Sequence, residues 1–139
     1  MRHLSWIFLV AALLASCSGA RQLSKVSISN PAEEPQDSVS YELVVLDPGF
    51  ESWYLMHSRP DWYHSQSYYE TWNLQYVTAW NSKVMMPRYS RLFEHTIDYD
   101  SFTDYGLELN HKLFYYFQYV EHALRIPVLP QGMGPRAVF

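Results

Sequence analysis

Outside the first sixteen residues, no aromatic side chain occurs before Tyr41. That segregation constrains the fold of this chain more than any other feature, because Phe, Tyr and Trp carry the largest apolar areas a core can bury. Ser18 to Ser38 (SGARQLSKVSISNPAEEPQDS) is instead rich in Ser, Pro, Gln and charge, the composition of a solvated tether. As a flexible coil it would reach on the order of 25 Å. From Ile126 the sequence IPVLPQGMGPRAVF holds three prolines and two glycines and should not continue a helix. The expected layout is therefore a leader over 1–16, a tether over 17–39, an aromatic-rich domain over 40–125 and a Pro/Gly-rich tail over 126–139. With 139 residues and 48% apolar content, one folded unit with its own core is expected, and wholesale disorder is not.

The leader has a short basic start (Met1, Arg2, His3) and an apolar run from Leu4 to Leu14. Such a run has the length of a signal-peptide core and is too short for the roughly 20 residues that cross a bilayer. It ends in Leu14-Ala15-Ser16-Cys17, similar to a bacterial lipobox: a branched apolar residue, two small residues, then the only Cys of the chain. The alternative is an ordinary signal peptide with an incidental Cys. On the lipobox reading residues 1–16 are removed and Cys17 carries acyl chains. Each buried CH₂ contributes about 0.8 kcal/mol, so two or three chains anchor the protein to the membrane. Ser18, where an Asp would signal otherwise, favours the outer membrane by resemblance to enterobacterial sorting, with the domain facing the periplasm.

Within 40–125, Tyr41–Leu46 reads as a strand ending in the turn Asp47-Pro48-Gly49. Residues 50–56 read as a short helix and 57–66 as a loop. Ser67-Tyr68-Tyr69-Glu70 has the spacing of a capping box. From there Tyr69, Trp72, Tyr76, Trp80 and Val84 recur at helical intervals, predicting a helix over 68–85 that Pro87 stops. Alternation in 88–97 suggests a second strand. Asp104 is a candidate N-cap for a last helix over 105–125, whose apolar arc includes Leu109, Leu113, Phe117 and Val120, with Glu108, Lys112, Tyr119 and His122 opposite. These elements predict a small single α+β domain, two long amphipathic helices packed on a short helix and one or two short strands.

Asn110 falls near the middle of the apolar arc of the last helix. A buried amide needs partners, so it either ties a loop to the helix or belongs to a polar pocket with Glu70, Asn73 and Asn81. Those three share one face of the 68–85 helix. A carboxylate among amides could bind a sugar or peptide group, or could equally form an internal network that fixes how the helices dock.

Asp98, Asp100, Asp104 and Glu108 invite a calcium reading, but the EF-hand pattern fails at Phe102, Thr103 and Leu109. The histidines after the leader do not cluster; His111 and His122 share a face but lie about 16 Å apart, too far for one metal. No cofactor or metal is expected. H-E-x-x-H, G-x-S-x-G, the P-loop and the dinucleotide fingerprint are all absent. A carboxylate pair such as Glu70 with Asp98 or Asp100 could serve a hydrolase but is unspecific. The net charge of −4 gives no general attraction to nucleic acid. The twelve Tyr and five Trp either build an aromatic core with hydroxyls at its rim or leave part of themselves as an exposed patch for a partner or a glycan.

The ordered segments Asp47-Pro48-Gly49-Phe50-Glu51-Ser52-Trp53, Arg59-Pro60, Ser65-Gln66-Ser67-Tyr68-Tyr69-Glu70, Asn73, Tyr76-Val77 and Trp80-Asn81 resemble a domain-of-unknown-function family of small lipoproteins. So do Ile97-Asp98-Tyr99-Asp100, Asp104-Tyr105-Gly106, Asn110 and Tyr115-Tyr116-Phe117, so that the resemblance covers about 45–120. The family is associated with Bacteroidetes-type bacteria, and its members more often have Arg where this chain has Lys83. It implies an envelope lipoprotein and assigns no activity to any residue. The expectation is a non-catalytic envelope lipoprotein that binds a protein partner or organises an assembly. The alternatives are a module binding glycan or peptidoglycan fragments, and third a small hydrolase.

Overall fold

The computed structural model describes residues 23–30 and 40–136. Strand β1 (Val26–Ser29) pairs antiparallel with β2 (Glu42–Val45), with Val26 opposite Val45 and Ile28 opposite Leu43. Helix α1 (Pro48–His57) follows, then α2 (Gln66–Val84) and α3 (Gly106–Gln118), the last running on into a π-helical turn at Tyr119–Ala123. Short 3₁₀ turns at Asp61–Tyr63 and Pro87–Tyr89 join them. Three helices and a two-stranded antiparallel sheet make one small α+β domain, as expected.

Helix α3 is the centre of that domain. It packs on α2, on α1, on β2 and on the 61–63 turn. Its four consecutive rings, Phe114, Tyr115, Tyr116 and Phe117, point all round the helix and are all buried; a helix apolar on every side belongs inside. Tyr76 of α2 stacks on Phe117 at 4.7 Å between centroids, and Phe50 of α1 meets Tyr116 edge-on at 5.3 Å.

The starts of the helices follow from local chemistry. Asp47 caps α1, its carboxylate accepting the Gly49 N–H at 2.8 Å, with Pro48 in the first turn where its missing N–H costs nothing. Helix α2 starts two residues earlier than the capping-box pattern implies. Ser65, not Ser67, takes the Tyr68 N–H on its hydroxyl, and Glu70 is held instead by the Gln66 amide at 2.8 Å.

Three expectations need correction. The second strand is not in 88–97, which winds through the 87–89 turn and following turns; Phe93 and Ile97 there are buried, but as loop residues packed on Trp80 and neighbours. The partner of β2 comes instead from the presumed tether. Leu23 and Val26 are buried, and the Leu23 N–H donates to the Leu92 carbonyl at 3.2 Å. The tail is also part of the body: Ile126, Val128 and Leu129 are buried, and Glu121 accepts both the Val128 and Leu129 N–H groups. The folded unit therefore starts by Leu23 and runs past 126. Cys17, the leader and residues 31–39 lie outside the described residues.

Tyr119, expected on the outer side of the last helix, is buried. That side is covered by α1, with Phe50 and Trp53 each less than 6 Å from the Tyr119 ring. Its hydroxyl donates to the Asp47 carboxylate at 3.2 Å, joining the cap of α1 to the end of α3.

Candidate functional site

Of the four residues expected to share a polar pocket, Asn73 and Asn110 meet. Both are fully buried between α2 and α3. The Asn73 amide donates to the Asn110 carbonyl at 2.9 Å and to its side-chain oxygen at 3.1 Å. Tyr99 donates to that same oxygen at 2.7 Å, and the Asn110 amide donates back to Gly106. Burial above all, with the Glu70 carboxylate next, pushes the Tyr99 hydroxyl well above its usual range.

Asn81 works elsewhere. It exchanges two hydrogen bonds with the Ile97 main chain, at 2.9 and 2.8 Å, in the manner of a strand partner. Glu70 bonds Gln66, which also reaches Asp104. None of the four lines either of the two clefts described below. The arrangement ties the 97–99 and 104–106 segments to the helix pair.

Two of the carboxylates considered for calcium or hydrolysis, Asp100 and Asp104, are engaged in turns. Asp100 accepts from the Phe102 N–H and the Thr103 hydroxyl, which hold its carboxyl below the usual range. Asp104 accepts from Gly106 N–H and from Gln66, with the same effect. Among the described residues no group of three or more His, Cys, Asp or Glu could hold a metal ion.

A different constellation stands out around the link between α1 and α2. His111 of α3 is buried, and its Nε2 lies 2.8 Å from the Arg59 carbonyl. A carbonyl only accepts, so Nε2 carries the proton and Nδ1 accepts from the Tyr54 hydroxyl, also at 2.8 Å. Four residues on, the Tyr115 hydroxyl accepts the Arg59 N–H at 2.9 Å. Both main-chain polar groups of Arg59 are thus held by α3.

Burial pushes the His111 imidazole below its ordinary value, although the Arg59 carbonyl and the Asp61 carboxylate pull the other way. Burial likewise pushes the Tyr54 hydroxyl up to about 12, with Glu108 and Asp61 adding to it. The neutral forms needed for this pair of hydrogen bonds are therefore the stable ones. Tyr69 and Tyr115 close around the imidazole, with centroids at 5.2 and 4.7 Å.

What this brace holds up is exposed. Leu55, Met56, Trp62 and Tyr63 all fall within 55–63 and face solvent, Trp62 at 74% of its full area and Leu55 at 79%. The Arg59 guanidinium lies over the Tyr63 ring at 5.8 Å. Phe102 is more exposed still, at 96%, but no other large apolar side chain of its loop accompanies it.

In the sequence His111 stands out only for its spacing from His122, since a two-sided last helix gives it no place in the core. The signal was available in the run Phe114-Tyr115-Tyr116-Phe117, which leaves no side of the helix for water.

Open clefts lie at two further places on the surface of the described residues. One, of about 700 Å³, lies between β2 and the start of α3, with Tyr41 and Tyr105 as walls and Asp104, Glu108 and Lys112 at its rim. Tyr105 stacks on Tyr99 and meets Tyr41 edge-on at 4.8 Å. The other, of about 630 Å³, lies between the end of α2 and the tail.

The fold and these surfaces define a small aromatic-rich α+β domain. The chain belongs to a family of unknown function, DUF6146, whose model matches residues 5–134. No curated protein and no solved structure matches it. Among the described residues no helix is long and apolar enough to cross a membrane.

Proposed function

We propose that this chain is a bacterial envelope lipoprotein, lipidated at Cys17 and tethered to the periplasmic face of the outer membrane, whose domain binds a protein partner without catalysing a reaction. The observation that carries the binding reading is the braced 55–63 segment. Arg, Trp and Tyr are the residues that most often dominate the energetics of protein interfaces, and Arg59, Trp62 and Tyr63 stand together on a backbone fixed from inside by His111 and Tyr115. A fixed backbone leaves less entropy to lose when a partner docks. An exposed Trp in a segment that also exposes Leu55, Met56 and Tyr63 is otherwise an aggregation liability. The lipid anchor rests on the lipobox, the leader and the single Cys.

The test is in vivo crosslinking of the full chain, with mass-spectrometric identification of what is attached, for the native protein and for Trp62→Ala. One envelope protein should be recovered with the native chain and lost with the variant, at unchanged thermal stability. Cys17→Ala should abolish lipid labelling and release the protein from the membrane. Retention on the membrane without Cys17 rules the anchor out.

A second reading has its own observation. The cleft walled by Tyr41 and Tyr105, with carboxylates and Lys112 at its rim, suits a glycan or peptidoglycan fragment, since sugars stack on aromatic faces and present hydroxyls to carboxylates. Recovery of glycan alone in the crosslinking, insensitive to Trp62→Ala, favours that reading over the first.

A further inference from the structure

The second cleft gathers positive charge in a chain whose net charge is −4. Lys83 and Arg125 line it, with Tyr89 and His122 beside them and Pro127 and Leu129 as apolar wall. The Lys83 ammonium sits 4.6 Å from the centroid of the Tyr89 ring, and the Arg88 guanidinium 4.7 Å from the same centroid. Two cations thus share one ring, and Arg125 adds a third at the cleft wall. Neither Lys83 nor Arg125 forms an ion pair with a carboxylate among the described residues. The one carboxylate of the cleft lining, Glu121, is occupied: Oε2 accepts from Tyr76, and Oε1 from the Val128 and Leu129 N–H groups.

The backbone adds a second, independent observation. Arg125 follows the π-helical turn with φ +60°, the one non-glycine residue described with positive φ. It occupies the position after a helix end, where the Ile126 N–H turns back to the Val120 carbonyl at 3.0 Å. Glycine takes that conformation without strain and a residue with a Cβ does not. A cation at a helix C-terminus does offset the dipole, and Lys83 in the last turn of α2 has that role too. Any Lys or Arg in the last turn would serve the dipole equally, without a left-handed backbone. The chain reversal at the helix end sets this conformation and so fixes Arg125 at the cleft wall, and residues held in this region cluster at ligand sites.

We propose that this cleft binds an anionic oxygen group, a phosphate or carboxylate carried on an apolar or flat body, between Lys83 and Arg125 with Tyr89 beneath it. The fork of Arg125 supplies paired donors and Lys83 a point charge, while the Tyr89, Pro127 and Leu129 surface accepts the body. This site is separate from the 55–63 surface, so its failure leaves the protein-partner reading standing.

The experiment is a nitrogen-15 NMR titration of the folded protein with inorganic phosphate and with benzoate, against sodium chloride at matched ionic strength. A parallel arm measures sedimentation with phosphatidylglycerol vesicles. Saturable shifts centred on Lys83, Tyr89 and Arg125 in the phosphate or benzoate arm support the proposal. Tighter binding to vesicles at equal phosphate concentration identifies a lipid headgroup as the source, and the reverse a soluble ligand. Arg125→Gly relieves the left-handed strain, so the variant should melt at a higher temperature while affinity falls about tenfold or more. Lys83→Gln should weaken binding without that gain. Shifts no greater than the chloride control in every arm, or Arg125→Gly binding as well as the native chain, overturns the proposal and leaves Arg125 a partner of the helix end only.

Discussion

The imidazole of His111 donates through Nε2 to the Arg59 carbonyl at 2.8 Å, joining residues 52 apart in sequence. With Tyr115 taking the N–H of the same residue, the central helix dictates the path of a link that carries no regular structure beyond one 3₁₀ turn. A segment with so few internal hydrogen bonds would otherwise be among the first to open locally.

Replacing His111 by Phe keeps a ring of similar size but leaves the Arg59 carbonyl and the Tyr54 hydroxyl without their partner. The variant should lose about 1–3 kcal/mol in urea unfolding, and Tyr115→Phe about 0.5–1.5 kcal/mol. Chymotrypsin should cut faster at Trp62 and Tyr63 in both. Native resistance to cleavage in His111→Phe contradicts the brace.

His111 also sets a pH dependence. Burial lowers its folded-state value below the ordinary 6.5, so the unfolded chain takes up a proton first as pH falls. Stability is then fully present above about pH 6.5 and declines as pH drops from there through the folded-state value. Asp100 and Asp104, whose carboxyls are held below their ordinary 3.8, act only in more acid solution. Urea unfolding between pH 7.5 and 4.5 should show this fall in the native protein, and a smaller one in His111→Phe. Equal slopes count against the assignment.

The Asn73–Asn110 pair makes a third prediction. Truncating Asn110 to Ala takes the acceptor from the Tyr99 hydroxyl and leaves the Asn73 amide only its bond to the main-chain carbonyl of residue 110, at about 1–3 kcal/mol. A double-mutant cycle with Asn73→Ala should give an interaction energy of at least about 0.5 kcal/mol. Additive losses would mean that the two amides do not act together.

Gly49 lies where a Cβ would come 2.7 Å from the Tyr119 hydroxyl. An alanine in a first helical turn ordinarily gains about 0.5–1 kcal/mol over glycine. Here the Tyr119 ring is packed against Phe50 and Trp53 and cannot withdraw, and its bond to Asp47 would break. Gly49→Ala should therefore destabilise by about 1–3 kcal/mol, measured as a drop in melting temperature. A rise instead would show that Tyr119 can move.

Periodicity made α2 legible in the sequence, since its buried Tyr69, Asn73, Tyr76 and Trp80 lie on one stripe. The strand after Tyr41 was legible from β-branching and the short helix from the spacing of Phe50, Trp53 and Tyr54, although Pro48 and Gly49, expected in a turn, form its first turn behind the Asp47 cap. The second strand was not, because Val26-Ser27-Ile28-Ser29 is four residues long and set in polar sequence; composition averaged over twenty residues hides it. The tail misled for a related reason. Its prolines do exclude a helix, but Val128 and Leu129 are buried in irregular backbone held by the Glu121 carboxylate, and no period marks such a contact.

The polar residues were legible as candidates for burial, and Asn110 does lie inside. Helix-wheel arithmetic placed Asn73 and Asn81 on one face, which is true of direction but not of distance along the axis: eight residues at 1.5 Å separate them by about 12 Å. They serve two different loops. The exposure of Trp62 and Tyr63 has no periodic signature, since a Trp in a loop reads the same whether buried or not.

The central claim is that the 55–63 surface meets a protein partner. A photo-crosslinking residue placed at position 62, compared in cells with one at the exposed Thr78 of α2, tests it most directly. Position 62 should give one dominant covalent adduct with a single envelope protein, and position 78 none. Adducts of equal yield at both positions, or none at 62 in a folded and membrane-located protein, would contradict it.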